Sequence, residues 1–212
     1  KMEIYSIDEA FLLLNHSCPQ SLNLWAQQLH KKVVQSLGLP IAIGIGNSKC
    51  QAKVAIHIAK ERPEHGGIFN LANANNPDTW LETVAIENVW GIGYKLAQWC
   101  RLRNITTARE LRDMPSNELR AKYGVIGLRI QHELRGQICI PLTPSHKKKE
   151  TCISRSFSRP ITRKEELQEA IATYVVRCSE KLRHQHQCAG AITVFARTSP
   201  FSSNFYNWAA TT

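Results

Sequence analysis

Residues 5–14 read Tyr5-Ser6-Ile7-Asp8-Glu9-Ala10-Phe11-Leu12-Leu13-Leu14 and set two adjacent carboxylates between apolar runs. With MEIY before them, these runs predict a hairpin over residues 2–14 whose polar turn carries Asp8 and Glu9. In a regular strand the two side chains would point to opposite faces, whereas at a turn they can serve one ligand. Adjacent carboxylates with no cation nearby repel and raise each other's pKa, so a metal or a basic group is expected between them. Mg²⁺ is the natural metal, because it takes hard oxygen ligands and keeps waters for the rest of its shell. On these two residues alone, an ordinary solvated turn is the plain alternative.

Outward from the hairpin, Leu22, Trp25, Leu29, Val33 and Leu37 recur at steps of three and four and predict a helix over 21–37, ended by Gly38 and Pro40. IAIGI (41–45) and GIFNL (67–71) read as short buried strands flanking a helix from about Asn47 to Lys60, with Ala52, Ala55, Ile56 and Ala59 on its buried face. This alternation predicts an α/β layer. In GIGNSKCQAKVAIHIAK (44–60), Gly44 and Gly46 allow close backbone approach, Asn47 or Ser48 can cap the helix, and the helix N-terminus offers N–H groups to an anion. Lys49, Lys53 and Lys60 fall near one stripe of that helix. The P-loop pattern is absent, and an amphipathic helix with solvated lysines is the other reading.

Residues 80–135 read as short helices punctuated by VWGIGYK, RNITTARELRDMP and KYGVIG. Gly91, Gly93 and Lys95 form a hydrophobic-G-h-G turn of the helix-hairpin-helix kind, which can present backbone N–H groups to a phosphate without reading bases; a simple packing joint is the alternative. Residues 136–150 (GQICIPLTPSHKKKE) read as a tether. A strand over 151–158, a helix over about 163–186 and a strand over 189–197 follow, and the final residues show no strong period. A β-α-β piece leaves open sheet edges, so the chain is expected to be incomplete at this end. Lys147, Lys148, Lys149, Arg155, Arg159, Arg163 and Lys164 make this part basic, and alternation would set Arg155 and Arg159 on one strand face fit to track a phosphate backbone.

The net charge is +10, and it is not evenly spread: residues 1–82 hold seven basic and seven acidic side chains, residues 83–212 twenty and ten. That field suits a polyanion, nucleic acid first and an acidic membrane second, while a basic solvated surface is the bland account. Seven scattered cysteines without C-x-x-C spacing are expected to be reduced thiols. No long apolar run or signal pattern occurs, which makes a cytoplasmic, non-membrane protein the expectation.

Taken in order, these motifs resemble the Y-family translesion DNA polymerases, with details similar to the bacterial UmuC group. YSIDEAF resembles the family's palm motif, residues 44–60 its lysine-bearing segment and VWGIGYKL its thumb hairpin. ELRGQ (133–137), CISRSF (152–157) and TSPF (198–201) are similar to the UmuC group in detail. The resemblance implies an α+β multidomain fold: a partial α/β palm at 1–80, a helical thumb with a helix-hairpin-helix at 81–136, a linker at 137–150 and a partial βαβ little finger at 151–212. It further implies that Asp8 and Glu9 are catalytic metal ligands, that Lys60 contacts the triphosphate of an incoming dNTP and that Lys53 faces the active-site cleft. Gly91 and Gly93 would set thumb backbone against DNA. The implied chemistry is error-prone SOS repair synthesis, with a primer 3′-OH attacking a dNTP across two Mg²⁺ ions. The implied partners are primer-template DNA, a UmuD-type subunit, RecA and the sliding clamp, in a bacterial cytoplasm. The family also needs a third carboxylate, in a D-x-N-x-F-[YF] context. Only Asp8, Asp78 and Asp113 are present, and neither of the latter two has that context. The expectation is therefore a fragment lacking the N-terminal palm and fingers and the end of the little finger, inactive alone. A non-catalytic DNA-binding accessory protein is the rival, and a metal-dependent nuclease a weaker one.

Overall fold

The computed structural model describes residues 1–14, 19–143 and 149–212. Two compact units divide the chain, residues 1–144 and 145–212.

The first unit opens with the hairpin. Strands β1 (Met2–Ile4) and β2 (Ala10–Leu12) pair antiparallel, with Glu3 opposite Phe11, and the N–H groups of Tyr5 and Ser6 both donate to the carbonyl of Glu9 at 2.9 and 3.1 Å. Residues 5–9 are therefore a closed turn. Pleating sends Glu3 and Phe11 to one face and leaves Met2, Ile4 and Leu12 exposed on the other.

Helix α1 (Pro19–Leu37) ends at Gly38, whose φ of +66° turns the chain. Strand β3 (Ile43–Ile45), helix α2 (Lys49–Glu61) and strand β4 (Ile68–Asn70) form a β-α-β layer, β3 and β4 pairing parallel. Ser48 caps α2 through its hydroxyl, which accepts from the N–H of Gln51. The buried face of α2 is carried by Cys50, Val54, Ala55, Ile58 and Ala59, turned from the expected one: Ala52 and Ile56, next to Gly44 of β3, are only half-buried.

Four helices complete the unit: α3 (Pro77–Glu82), α4 (Tyr94–Arg101), α5 (Ala108–Asp113) and α6 (Ser116–Leu134). Thr107 and Glu110 close a capping box on α5. At Gly124, where φ is +63° and ψ −152°, α6 breaks within the KYGVIG stretch that punctuates the sequence. Gln131, fully buried, donates to the carbonyls of Leu111 and Met114 and accepts from Ser116, tying the second half of α6 to the end of α5. Leu81, Val84, Ile86, Leu96, Leu111, Leu119 and Leu134 join the α2 residues in one continuous core.

The tether departs from expectation. Its segment 139–143 is fastened to the first unit: the N–H groups of Cys139 and Ile140 donate to Glu133 and that of Thr143 to Glu3. Two carboxylates supply the acceptors that a free linker would take from water.

In the second unit, α7 (Lys164–His184) precedes an antiparallel pair, β5 (Thr193–Arg197) and β6 (Asn207–Thr211). The expected strand over 151–158 does not form. That segment has no ladder partner among the described residues and is held near its start by Thr151, which bonds to Gln185. The β-α-β reading of this unit is replaced by a helix and a hairpin, because β5 pairs with β6 from the stretch that showed no period.

Candidate functional site

The turn at residues 5–9 is where the expected chemistry converges. Asp8 is solvent-exposed; the Ser6 hydroxyl donates to its carboxylate, and its own N–H donates back to Ser6 Oγ at 3.3 Å. That hydroxyl first, and then the positive charges of Lys60 and Lys53, hold the Asp8 carboxyl below the ordinary carboxylate range. Glu9, whose side chain is 30 % exposed, accepts from Lys53 Nζ at 2.5 Å. The first part of the lysine stripe on α2 is thus no solvated face: Lys53, like Lys49 before it, lies against the hairpin, while Lys60 stays exposed and reaches Asp8 through its field alone.

One helical turn earlier, Lys49 completes the stripe. Its ammonium meets Glu3 Oε2 at 2.6 Å, donates to the Pro141 carbonyl at 2.9 Å and sits 5.1 Å from the centroid of the Phe11 ring. Burial pushes the Glu3 carboxyl up, but bonds from Lys49 and the Thr143 N–H, with the Lys49 charge, outweigh it and hold Glu3 below its usual range. Glu3 was not singled out in the sequence, and Lys49 only as a member of the lysine stripe. A charge flanked by Met2 and Ile4 in a strand, and a cation in the first turn of a helix, where the dipole disfavours it, were the available signals.

A second anchor is aromatic. Tyr5, Phe11 and Trp90 pack pairwise at 5.6–5.7 Å between ring centroids, and the Trp90 indole N–H donates to the Tyr5 hydroxyl at 3.1 Å. Trp90 belongs to the glycine turn before α4, so that turn and the carboxylate turn touch.

Within the glycine turn, Gly91 has φ +88°, and a Cβ there would lie 2.7 Å from Ile130 Cδ1. Gly93 precedes α4 as its N-cap with no side-chain cap, and Lys95 is exposed in the first turn. Of the other nominated residues, Lys60 is exposed, and Lys147 and Lys148 lie outside the described residues. Arg155 and Arg159 are not brought together on a strand. The Arg155 guanidinium donates to the neighbouring Ser154 carbonyl, and Arg159 pairs with Glu166 at 3.0 Å.

The anion expected at the N-terminus of α2 comes from within the protein. The fully buried Glu133 accepts from the N–H of Cys50 at 3.1 Å, while the hydroxyl of Ser48 bonds to the Glu133 carbonyl. The Asn47 N–H is taken by the Gln51 side chain. Gly44 and Gly46 likewise face α2 and not an external phosphate: a Cβ at either would collide with Gln51, Ala52 or Ile56. Burial pushes the Cys50 thiol up, with the Glu133 charge adding to it, so this cysteine is an inert packing residue.

As metal ligands, Asp8 and Glu9 fit a hard divalent ion: both are oxygen donors, Asp8 is kept ionised and accessible, and Glu9 already holds a cation. No group of three His, Cys, Asp or Glu side chains with that capacity occurs among the described residues. Asp78 and Asp113 are both committed to Arg112, Asp113 at 2.7 Å, and that guanidinium holds each carboxyl below its usual range. No helix among the described residues is long and apolar enough to cross a membrane.

A carboxylate hairpin backed by a lysine-bearing helix of a β-α-β layer, beside a glycine hairpin, defines a partial polymerase fold. Solved structures carry it: DinB from Sulfolobus solfataricus superposes with TM-score 0.53 at 17 % identity, over all of this chain and 60 % of that one. An insertion ternary complex of Dbh DNA polymerase gives 0.54 at 16 %, over all of this chain and 59 % of that one. The chain itself belongs to the impB/mucB/samB family of UmuC-like Y-family proteins. The family model matches residues 1–57, and the model of the family's C-terminal domain matches residues 148–212. UmuC of Salmonella typhimurium is 34 % identical over 208 residues, 96 % of this chain and 49 % of that protein. ImpB of Salmonella typhimurium is 35 % identical over 209 residues (95 % and 48 %), and MucB of Escherichia coli 31 % over 203 residues (95 % and 48 %). The chain spans about half the length of these curated relatives.

Proposed function

We propose that residues 1–212 form part of a DNA-directed DNA polymerase of the translesion type. In this reading Asp8 and Glu9 are two of the metal-holding carboxylates, and Lys53 and Lys60 are the cations that face a dNTP triphosphate. The glycine turn and the basic second unit hold primer-template DNA. The observation that carries the reading is the Lys53–Glu9 ion pair at the turn that also holds Asp8, a carboxylate reached by the fields of Lys60 and Lys53. Two Mg²⁺ ions would stabilise the attacking and leaving oxygens of nucleotidyl transfer. The chain's own residues position and neutralise. Contacts with a UmuD-type subunit, RecA and the sliding clamp enter the proposal through the family alone.

The direct test is divalent-ion binding, followed by water-proton relaxation with Mn²⁺. Wild-type protein is expected to bind, and Asp8→Asn with Glu9→Gln to lose at least tenfold in affinity, since both ionised donors are gone. Equal binding by the double variant would remove the metal site from the reading. With two carboxylates and no third, residues 1–212 alone are expected not to extend a primer; Mg²⁺-dependent extension abolished by Asp8→Ala would overturn that expectation. A D-x-N-x-F-Y segment encoded upstream of Lys1 favours the polymerase, and a start at Met2 the DNA-binding accessory protein.

Glycine 93 separates DNA contact from folding. Its φ of −84° and ψ of 171° suit any residue, and an added Cβ meets nothing within 4 Å. The fold does not need glycine there; close approach of a phosphate to the α4 N-terminus would. Gly93→Ala is expected to leave thermal stability unchanged and to weaken primer-template binding several-fold at low salt, read by fluorescence anisotropy. Unchanged binding would assign the turn to packing.

A further inference from the structure

The Lys53–Glu9 pair places a protein cation where the metal reading places a divalent ion. Lys53 Nζ lies 2.5 Å from Glu9 Oε1, with the two side chains 19 % and 30 % exposed, so the contact is partly desolvated. Neither neighbour on the stripe can substitute for it. Lys49 is committed to Glu3 and the Pro141 carbonyl, and Lys60 acts on Asp8 through its field without an ion pair among the described residues. Two carboxylates and two lysines leave the turn with no net charge. A divalent ion arriving at Glu9 would meet the Lys53 ammonium in its own position; with both present the turn would carry +2, and departure of the ammonium lowers that to +1 and removes the repulsion at contact distance.

We propose that Lys53 is a resident counter-cation that exchanges with the divalent ion at Glu9, pairing with that carboxylate without metal and leaving it when metal binds. The exchange rests on the metal-site reading above and adds a residue that sets the site's metal affinity. It has a consequence for substrate order: the displaced ammonium becomes available to an anionic oxygen, so divalent-ion binding and polyphosphate binding favour one another, as linkage requires.

The test uses residues 1–212 with Mn²⁺ as the probe and compares wild type, Lys53→Met, Lys60→Met and Glu9→Gln. Removing a unit charge that competes at contact distance is expected to raise Mn²⁺ affinity by about tenfold in Lys53→Met, and removing the more distant Lys60 charge by clearly less. In a Glu9→Gln background the advantage of Lys53→Met should vanish, because there is no carboxylate left to contest. Unchanged affinity in Lys53→Met overturns the exchange, and an equal gain from Lys60→Met also overturns it by showing a general field effect. If wild type binds Mn²⁺ and Glu9→Gln does not change it, the metal-site reading fails, and the exchange with it. A second measurement needs no variant to fold. Titration of wild type with Mg²⁺ should move the Lys53 side-chain NMR resonances toward those of a solvated lysine while the Lys49 resonances stay; Lys53 signals unmoved at saturating Mg²⁺ overturn the proposal.

Discussion

Glu133→Ala is expected to lower the stability of the first unit by about 3–5 kcal/mol, roughly 10 °C in melting temperature for a unit of this size. Glu133 is fully buried, and its carboxylate receives three backbone N–H groups: Cys50 at 3.1 Å, Cys139 and Ile140 at 2.8 Å each. Alanine would leave all three donors without an acceptor in a place water reaches poorly, and would strip the compensating charge from the α2 N-terminus. Glu133→Gln separates these contributions. Its amide oxygen can still accept from residues 139 and 140, but its NH₂ would face the Cys50 N–H, donor against donor. An intermediate loss is expected, measured by urea unfolding. Because the same carboxylate fastens residues 139 and 140, limited proteolysis of Glu133→Ala should cut near Cys139 well before the wild type. Stability within about 0.5 kcal/mol of wild type would show the contacts to be replaced by water.

How much of this was legible in the sequence differs residue by residue. Helix α2 was readable because its cap, its period and its flanking strands are local signals, and its lysines were readable as a stripe. Their pairing was not readable from the residues themselves, since Glu3 and Glu9 lie more than 40 positions away; only the family resemblance set Lys53 toward the cleft. Glu133 shows the same limit. Nothing near ELRGQ announces that its acid will meet a helix start 83 residues earlier. Strand β6 escaped for a different reason: all five of its residues are exposed, so the alternation that marks a half-buried strand is missing. Residues 151–158 err in the opposite direction, for an alternating pattern is no strand without a partner edge.

The remaining large effect is expected at Gly44. Its Cβ position lies 2.2 Å from the Ala52 carbonyl oxygen and 2.4 Å from the Ile56 nitrogen, both backbone atoms of α2, so no rotamer change can relieve the clash. Gly44→Ala must push the helix off β3, at about 3 kcal/mol or more, the upper end of what overpacking costs. Gly190→Ala, which meets nothing within 4 Å, is the matched control and should be close to neutral. Urea midpoints of the two variants give the comparison; equal midpoints would mean that β3 and α2 separate freely. The consequence reaches the candidate site, because Lys49 and Lys53 bridge from this helix to Glu3 and Glu9. Their fixed reach depends on where the helix axis lies, and backbone contact at Gly44 sets that position. A Gly44→Ala protein that still folds should therefore lose the Lys53–Glu9 pairing, seen as Lys53 resonances already solvated before any Mg²⁺ is added.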